Sequence, residues 1–108
     1  MCGIAGLFRA SDRPAVQAML EAMRHRGPDD EGIYADDRVT LGHRRLSIID
    51  TSPAGHQPMA GMDGAVQIVF NGEIYNYREE RARLEAKGRR FSTRSDTEVV
   101  LALYEEQG

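Results

Sequence analysis

Ile33-Tyr34-Ala35-Asp36-Asp37-Arg38-Val39-Thr40-Leu41 is the stretch whose reading decides the fold class. Ile33-Tyr34 and Val39-Thr40-Leu41 have the β-branched and aromatic character of strands, and Asp36-Asp37 between them favours a turn. Strands joined this locally pair antiparallel, because a parallel pair needs a crossover of about a dozen residues or more.

Upstream, Gly3-Ile4-Ala5-Gly6-Leu7-Phe8 is a short apolar run of strand length, in which Gly3 and Gly6 permit close backbone approach. A helix follows. Asp12 suits its N-cap and Pro14 its first turn; Val16, Met19, Leu20 and Met23 form one apolar stripe, and Gly27-Pro28 stops it. Downstream, residues 46–49 form another short apolar segment and residues 50–65 are rich in turn formers. Residues 66–70 read as the best strand in the chain, ending at Asn71-Gly72. A helix is expected over 77–87, capped by Asn76 with Glu79 three residues on, and ended by Gly88. A last helix begins at Ser95-Asp96-Thr97-Glu98, which fits a capping box, with Val99, Val100, Leu103 and Tyr104 as its apolar face. Strand, helix, several strands and two helices make an α+β protein with antiparallel sheets.

The bulk properties narrow the function classes. The chain has 108 residues, 41% hydrophobic and 29% charged, with a formal net charge of −3. That is a soluble globular mixture, long enough to bury a core. No basic face stands out among the scattered arginines, which excludes nucleic acid as an expected partner. No apolar stretch is long enough to span a bilayer. The start MCGIAGLFRA lacks the basic region of a secretory signal, so a cytoplasmic location is expected. The single cysteine cannot form an internal disulfide, and His25, His43 and His56 stand too far apart for a metal-ligand pattern; no metal site is expected.

Three groups of residues carry chemistry. Cys2 follows Met1 directly. If Met1 is removed, Cys2 gains a free α-amino group, with a reference pKa of about 7.7–8.0, that can take the proton of its own thiol. Nucleophile and base would then reside in one residue; the other reading of a lone Cys is a buried small hydrophobe. Asn71-Gly72 offers a side-chain amide and a backbone N–H in one turn, a donor pair suited to an oxyanion, and equally suits a hairpin turn. Arg45 has the fork that binds a carboxylate bidentately, and Glu73 and Asp96 have the charge to hold an ammonium, although each also suits a solvated charge or a helix cap.

In order along the chain stand MCGIAGLF at 1–8, HRGPDDEG at 25–32, GHRRLSIID at 42–50, GHQP at 55–58, NGEIYNY at 71–77 and SDTEVVLALY at 95–104. This series resembles the glutaminase domain of glutamine-hydrolysing asparagine synthetases, class II amidotransferases within the N-terminal nucleophile hydrolases, over essentially the whole chain. The resemblance implies that Cys2 is the nucleophile and its amine the base. Asn71 and Gly72 match the oxyanion hole and Arg45 the arginine for the glutamine α-carboxylate. Leu46, Ser47, Ile48 and Ile49 match the segment lining that pocket, and Glu73 and Asp96 the acids for the α-ammonium. The implied fold is a four-layer αββα sandwich with two antiparallel sheets between helical layers.

The implied reaction is hydrolysis of L-glutamine through a Cys2 thioester. The ammonia is passed to a synthetase domain that uses ATP and Mg²⁺ to convert aspartate to asparagine. Measured against that family, residues 1–108 are expected to be the N-terminal portion of the glutaminase domain. The later strands and the synthetase domain's Ser-Gly-Gly-x-Asp-Ser loop do not occur in this chain, so no cofactor is expected in it. The expected partners are glutamine, the synthetase domain and, at full length, a second copy of the chain. Two alternatives stand: another ammonia acceptor, or an inactive truncated or glutamine-binding remnant.

Overall fold

The computed structural model describes residues 2–46 and 52–108. Its first half is a three-stranded antiparallel sheet with a helix on one face. Strands β1 (Gly3–Phe8), β2 (Asp30–Ala35) and β3 (Val39–Arg45) lie in the order β1-β3-β2. The β2–β3 turn forms where the sequence puts it. Asp36 Oδ1 accepts the N–H groups of Arg38 and Val39 at 2.8 and 2.9 Å, and Tyr34 Oη donates to Asp36 Oδ2 at 2.7 Å. These bonds, led by the Tyr34 hydroxyl, hold the Asp36 carboxyl below its ordinary pKa, while the same contact raises that of Tyr34.

Both strands run further than the apolar signal. β3 continues through Gly42-His43-Arg44-Arg45, all buried. Buried polar groups are tolerated where they are hydrogen-bonded, and both arginines are: Arg44 Nε donates to Gly27 O at 2.9 Å and its Nη1 pairs with Glu31, while Arg45 Nη1 donates to Ser52 O at 2.7 Å.

Helix α1 (Arg13–Ala22) starts as expected, with Asp12 Oδ1 accepting from Ala15 N at 3.0 Å. Val16 and Leu20 are fully buried against the sheet, whereas Met19, expected in the same stripe, is exposed. A Cβ on Gly42 would lie 2.5 Å from Val16 Cγ1, so only glycine lets helix and strand approach this closely. The helix ends at Ala22, earlier than the Gly27-Pro28 stop. Tight turns replace it, with Met23 N bonded to Leu20 O and Arg26 N to Met23 O.

The second half is built differently. Strands β4 (Met59–Ala60) and β5 (Gln67–Ile68) form a two-residue antiparallel ladder. The five-residue strand expected over 66–70 is therefore corrected to β5 alone. Phe70 leaves the ladder because side chains take its backbone groups: its N–H donates to Gln57 Oε1 at 2.7 Å and its carbonyl lies 3.1 Å from His43 Nε2.

Helices α2 (Tyr77–Ala86) and α3 (Asp96–Gln107) pack through Leu84, Val99 and Ala102, flanked by Tyr77, Phe91 and Leu103. α2 ends in a Schellman motif: Gly88, at φ 97°, donates to Glu85 O, and Arg89 N donates to Leu84 O, both at 3.0 Å. Asn76 stands at the N-cap of α2, but its side chain makes no capping bond.

The capping box of α3 forms in altered shape. Ser95 Oγ accepts from Thr97 N at 3.1 Å, while the Glu98 carboxylate reaches past Ser95 to the N–H groups of Ser92 and Thr93 at 2.9 and 2.7 Å. Of the expected apolar face Val99 is buried and Leu103 packs at the edge of the core, while Leu101 and Ala102 are buried beside them and Val100 is half-buried. Leu101 and Met59 line one cavity, and Tyr104 is exposed. On the solvent side Arg83 and Lys87 each reach Glu106 at 3.1 Å; with the Gln107 amide, the largest contributor, they bring the Glu106 carboxyl down to about 2. The whole is a small mixed α/β protein with antiparallel sheets, as the α+β expectation has it. Among the described residues no helix is long and apolar enough to cross a membrane.

Candidate active site

Cys2 precedes β1, and the β1–β3 register decides where it sits. Gly3 is opposite Arg44, so Cys2 arrives at the end of β3, beside Arg45 and Leu46. Leu46 N lies 3.3 Å from Cys2 Sγ, with Leu46 O at 3.7 Å. Arg26 Nε donates to the Cys2 carbonyl at 3.2 Å, tying the residue down from the turn after α1. That turn passes so close to β3 that a Cβ on Gly27 would lie 2.4 Å from the Arg44 carbonyl carbon.

Cys2 opens into a cavity of about 60 Å³. Its walls come from five segments: Cys2; Arg45 and Leu46; Gly55 and Gln57; Phe70, Gly72 and Glu73; and Ser95, Asp96 and Thr97 at the start of α3. Of the residues singled out in the sequence, Cys2, Arg45, Leu46, Gly72, Glu73 and Asp96 meet here. Asn71 is exposed and does not line the cavity. Ser47, Ile48 and Ile49 lie outside the described residues.

Arg45 and Asp96 are 7% and 6% exposed, so a buried cation and a buried carboxylate face one small space. Buried charges are costly unless paired or bonded. Arg45 is held by Ser52 O, and Asp96 Oδ2 accepts the N–H of Ile74 at 3.0 Å while sitting at the positive end of α3. A zwitterionic amino acid supplies the complementary pair of charges.

Sequence reading gave no role to Gln57, Thr97 and Arg26. Gln57, 6% exposed, lines the cavity and bonds on both sides: Oε1 accepts from Phe70 N, and Nε2 donates to Thr97 Oγ1 at 3.1 Å. The GHQP block was the only signal for it. His43 is fully buried beneath Phe70, and burial, the largest cause, lowers its pKa against the opposing pull of the Phe70 carbonyl. Among the described residues no group of three or more His, Cys, Asp or Glu is placed to hold a metal ion.

Antiparallel ladders deliver a cysteine to a polar cavity with an arginine and an aspartate, and the glutamine amidotransferase domain family matches residues 1–108. The chain belongs to that family.

Its relatives are more particular. It is 48% identical to asparagine synthetase [glutamine-hydrolyzing] 1 of Bacillus subtilis, over 96% of this chain and 17% of that protein. It is 43% identical to asparagine synthetase B [glutamine-hydrolyzing] of Escherichia coli, over the whole of this chain and 20% of the relative. With asparagine synthetase [glutamine-hydrolyzing] 1 of Arabidopsis thaliana the identity is 42%, over the whole of this chain and 19% of the relative. The chain thus spans about a fifth of the length of these curated relatives.

Proposed function

We propose that this chain is the glutamine-hydrolysing part of an asparagine-synthetase-type amidotransferase. One observation carries the reading: Cys2, Arg45, Gly72, Glu73 and Asp96, far apart in sequence, line one cavity. Arg45 binds the α-carboxylate of L-glutamine, Asp96 and Glu73 hold its α-ammonium, and Leu46 lines the pocket; Ser47, Ile48 and Ile49 are assigned to glutamine binding by the family resemblance alone. The side-chain amide is then directed at Cys2.

Removal of Met1 frees the Cys2 amine, which accepts the thiol proton. The Cys2 sulfur attacks Cδ of glutamine. As the S–C bond forms, the carbonyl electron pair moves onto oxygen, where the Gly72 N–H and the Asn71 amide stabilise it. Collapse breaks the C–N bond, and the proton held by the amine leaves with ammonia. Water then adds to the thioester and releases glutamate, regenerating the thiol. Asn71 turns inward only with glutamine in place, since donors of this kind often reach working geometry in the substrate complex.

The finer fold on this reading is the N-terminal portion of an αββα four-layer sandwich. Ammonia passes to a synthetase domain of the longer protein, which supplies ATP and Mg²⁺ chemistry to make asparagine from aspartate. The Ser-Gly-Gly-x-Asp-Ser loop that would hold the nucleotide's pyrophosphate does not occur in residues 1–108. A cytoplasmic location and a homo-oligomeric full-length protein accompany this reading.

Cys2→Ala in the full-length protein tests it: glutamine hydrolysis is expected to vanish while synthesis from added ammonia survives. Hydrolysis at the wild-type rate excludes Cys2 as nucleophile. Intact mass of the active protein checks the base, for full glutaminase activity with Met1 retained rules out the amine mechanism.

A further inference from the structure

The proposed oxyanion donors sit in a short turn suspended between two anchors on the same helix end. On its far side, Ile74 N donates to Asp96 Oδ2 at 3.0 Å. On its near side, Phe70 is tied to the next residue of α3 through one side chain: Gln57 Oε1 accepts from Phe70 N at 2.7 Å, and Gln57 Nε2 donates to Thr97 Oγ1 at 3.1 Å. Residues 71–73 therefore hang between ties that converge on Asp96 and Thr97.

We propose that Gln57 is a positioning residue for glutamine hydrolysis, its carboxamide setting the spacing between the Asn71-Gly72 donor turn and Asp96. The inference deepens the reading above and rests on it. Phe70 and the donors beside it lie outside the β5 ladder, so among the described residues no strand neighbour fixes their height above the cavity. A rigid planar bridge does so instead. The task calls for an acceptor at one end and a donor at the other, without charge. Gln supplies both. Leu and Met supply neither, and Glu would add a negative charge to a cavity that already holds Asp96 and Glu73. Burial shields both bonds from competing water, which raises the cost of losing them. His43, 3.1 Å from the Phe70 carbonyl, is a second hold on the same residue, so removing Gln57 tilts the turn rather than releasing it.

The experiment uses the full-length protein and reads glutamine kcat and KM beside the rate of Cys2 alkylation by iodoacetamide, a reaction that builds no oxyanion. Gln57→Leu is expected to lower kcat about 10- to 100-fold, the scale of a displaced oxyanion donor, with KM changed less than about threefold. Alkylation of Cys2 is expected to stay within about twofold of wild type, because the β1–β3 ladder still holds the thiol. If Gln57→Leu does not fold, Thr97 carries the test: Thr97→Val should lower kcat and Thr97→Ser, which keeps the hydroxyl, should restore it. An unchanged kcat in Gln57→Leu, equal losses in hydrolysis and alkylation, or Thr97→Ser as impaired as Thr97→Val overturns the proposal. Hydrolysis surviving in Cys2→Ala is a different failure, that of the functional reading itself.

Discussion

The two halves of the described chain hold their backbones by different means. In residues 2–46 the polar main-chain groups pair across β1, β3 and β2 in a continuous register, and α1 covers one face with Val16 and Leu20. In residues 52–108, outside α2 and α3, the ladder is two residues long and side chains do the holding: Gln57 and His43 on Phe70, Asp96 on Ile74, Glu98 on Ser92 and Thr93. The first arrangement is set mainly by pairing and apolar burial, which bring Cys2 beside Arg45, with Arg26 as a polar tie on the Cys2 carbonyl. The second permits the irregular path that carries Gly72, Glu73 and Asp96 to the cavity, and makes each segment depend on one carboxylate or carboxamide.

That division predicts a large stability effect with little kinetic consequence in the first half. Leu20→Ala should destabilise the protein by about 2–5 kcal/mol, since Leu20 is fully buried between α1 and the sheet. Denaturant midpoints measure it, and in the folded fraction the KM for glutamine should be unchanged. Glu98→Ala should cost less, about 1–3 kcal/mol for the orphaned N–H groups of Ser92 and Thr93. It should nevertheless raise the KM, because the segment leading into Asp96 loosens. Faster hydrogen exchange at residues 92–95 would accompany it. A larger KM change in Leu20→Ala than in Glu98→Ala would break the comparison.

The same division explains what could be read from the sequence. The β2–β3 turn, α1 with its Asp12 cap, and the Gly88 stop of α2 depend on neighbours close along the chain, and their residue types announce them. The continuation of β3 through His43, Arg44 and Arg45 was not legible, since three polar residues read as the end of a strand until Phe70, Gly27, Glu31 and Ser52 are seen to bond them. The opposite error occurred at 66–70, where apolar composition promised a strand and Gln57 and His43 took Phe70 out of it. In α3 the periodicity chose one stripe, whereas Leu101, outside it, is buried as well. At the site, the ordered blocks brought Cys2, Arg45, Leu46, Gly72, Glu73 and Asp96 into view. Gln57 escaped because its role exists only once Phe70 and Thr97 are neighbours in space.

A smaller effect is expected at Gly88. Nothing lies within 4 Å of a Cβ built there, so Gly88→Ala meets no clash and the cost is that of a left-handed backbone at φ 97°. It should amount to about 1 kcal/mol, reduced in part by the stiffer unfolded chain. Glutamine kinetics should not move, because α2 ends away from the cavity. A thermal melt beside a glutaminase assay checks both, and a changed KM would tie the C-terminal end of α2 to the site.

The smallest effect separates the halves by pH. His43 belongs to β3, yet its ring nitrogen serves Phe70 in the second half, so its protonation state bears on the junction. Burial lowers its pKa below the ordinary 6.5, with the positive charge of Arg45 adding to the effect and Asp30 opposing it. Above that ordinary value both folded and unfolded chains carry a neutral imidazole, and stability is at its full value. As pH falls through 6.5, the unfolded chain binds a proton that the folded one refuses until its own lower pKa is reached, so stability declines with falling pH. One proton limits the slope to about 1.4 kcal/mol per pH unit. Unfolding free energies measured between about pH 5.5 and 6.5, above most carboxylate titrations, should fall more steeply in wild type than in His43→Gln, which has no imidazole to titrate. Equal slopes would mean that folding does not displace the His43 equilibrium, the Phe70 carbonyl and Asp30 then offsetting burial and Arg45 in full.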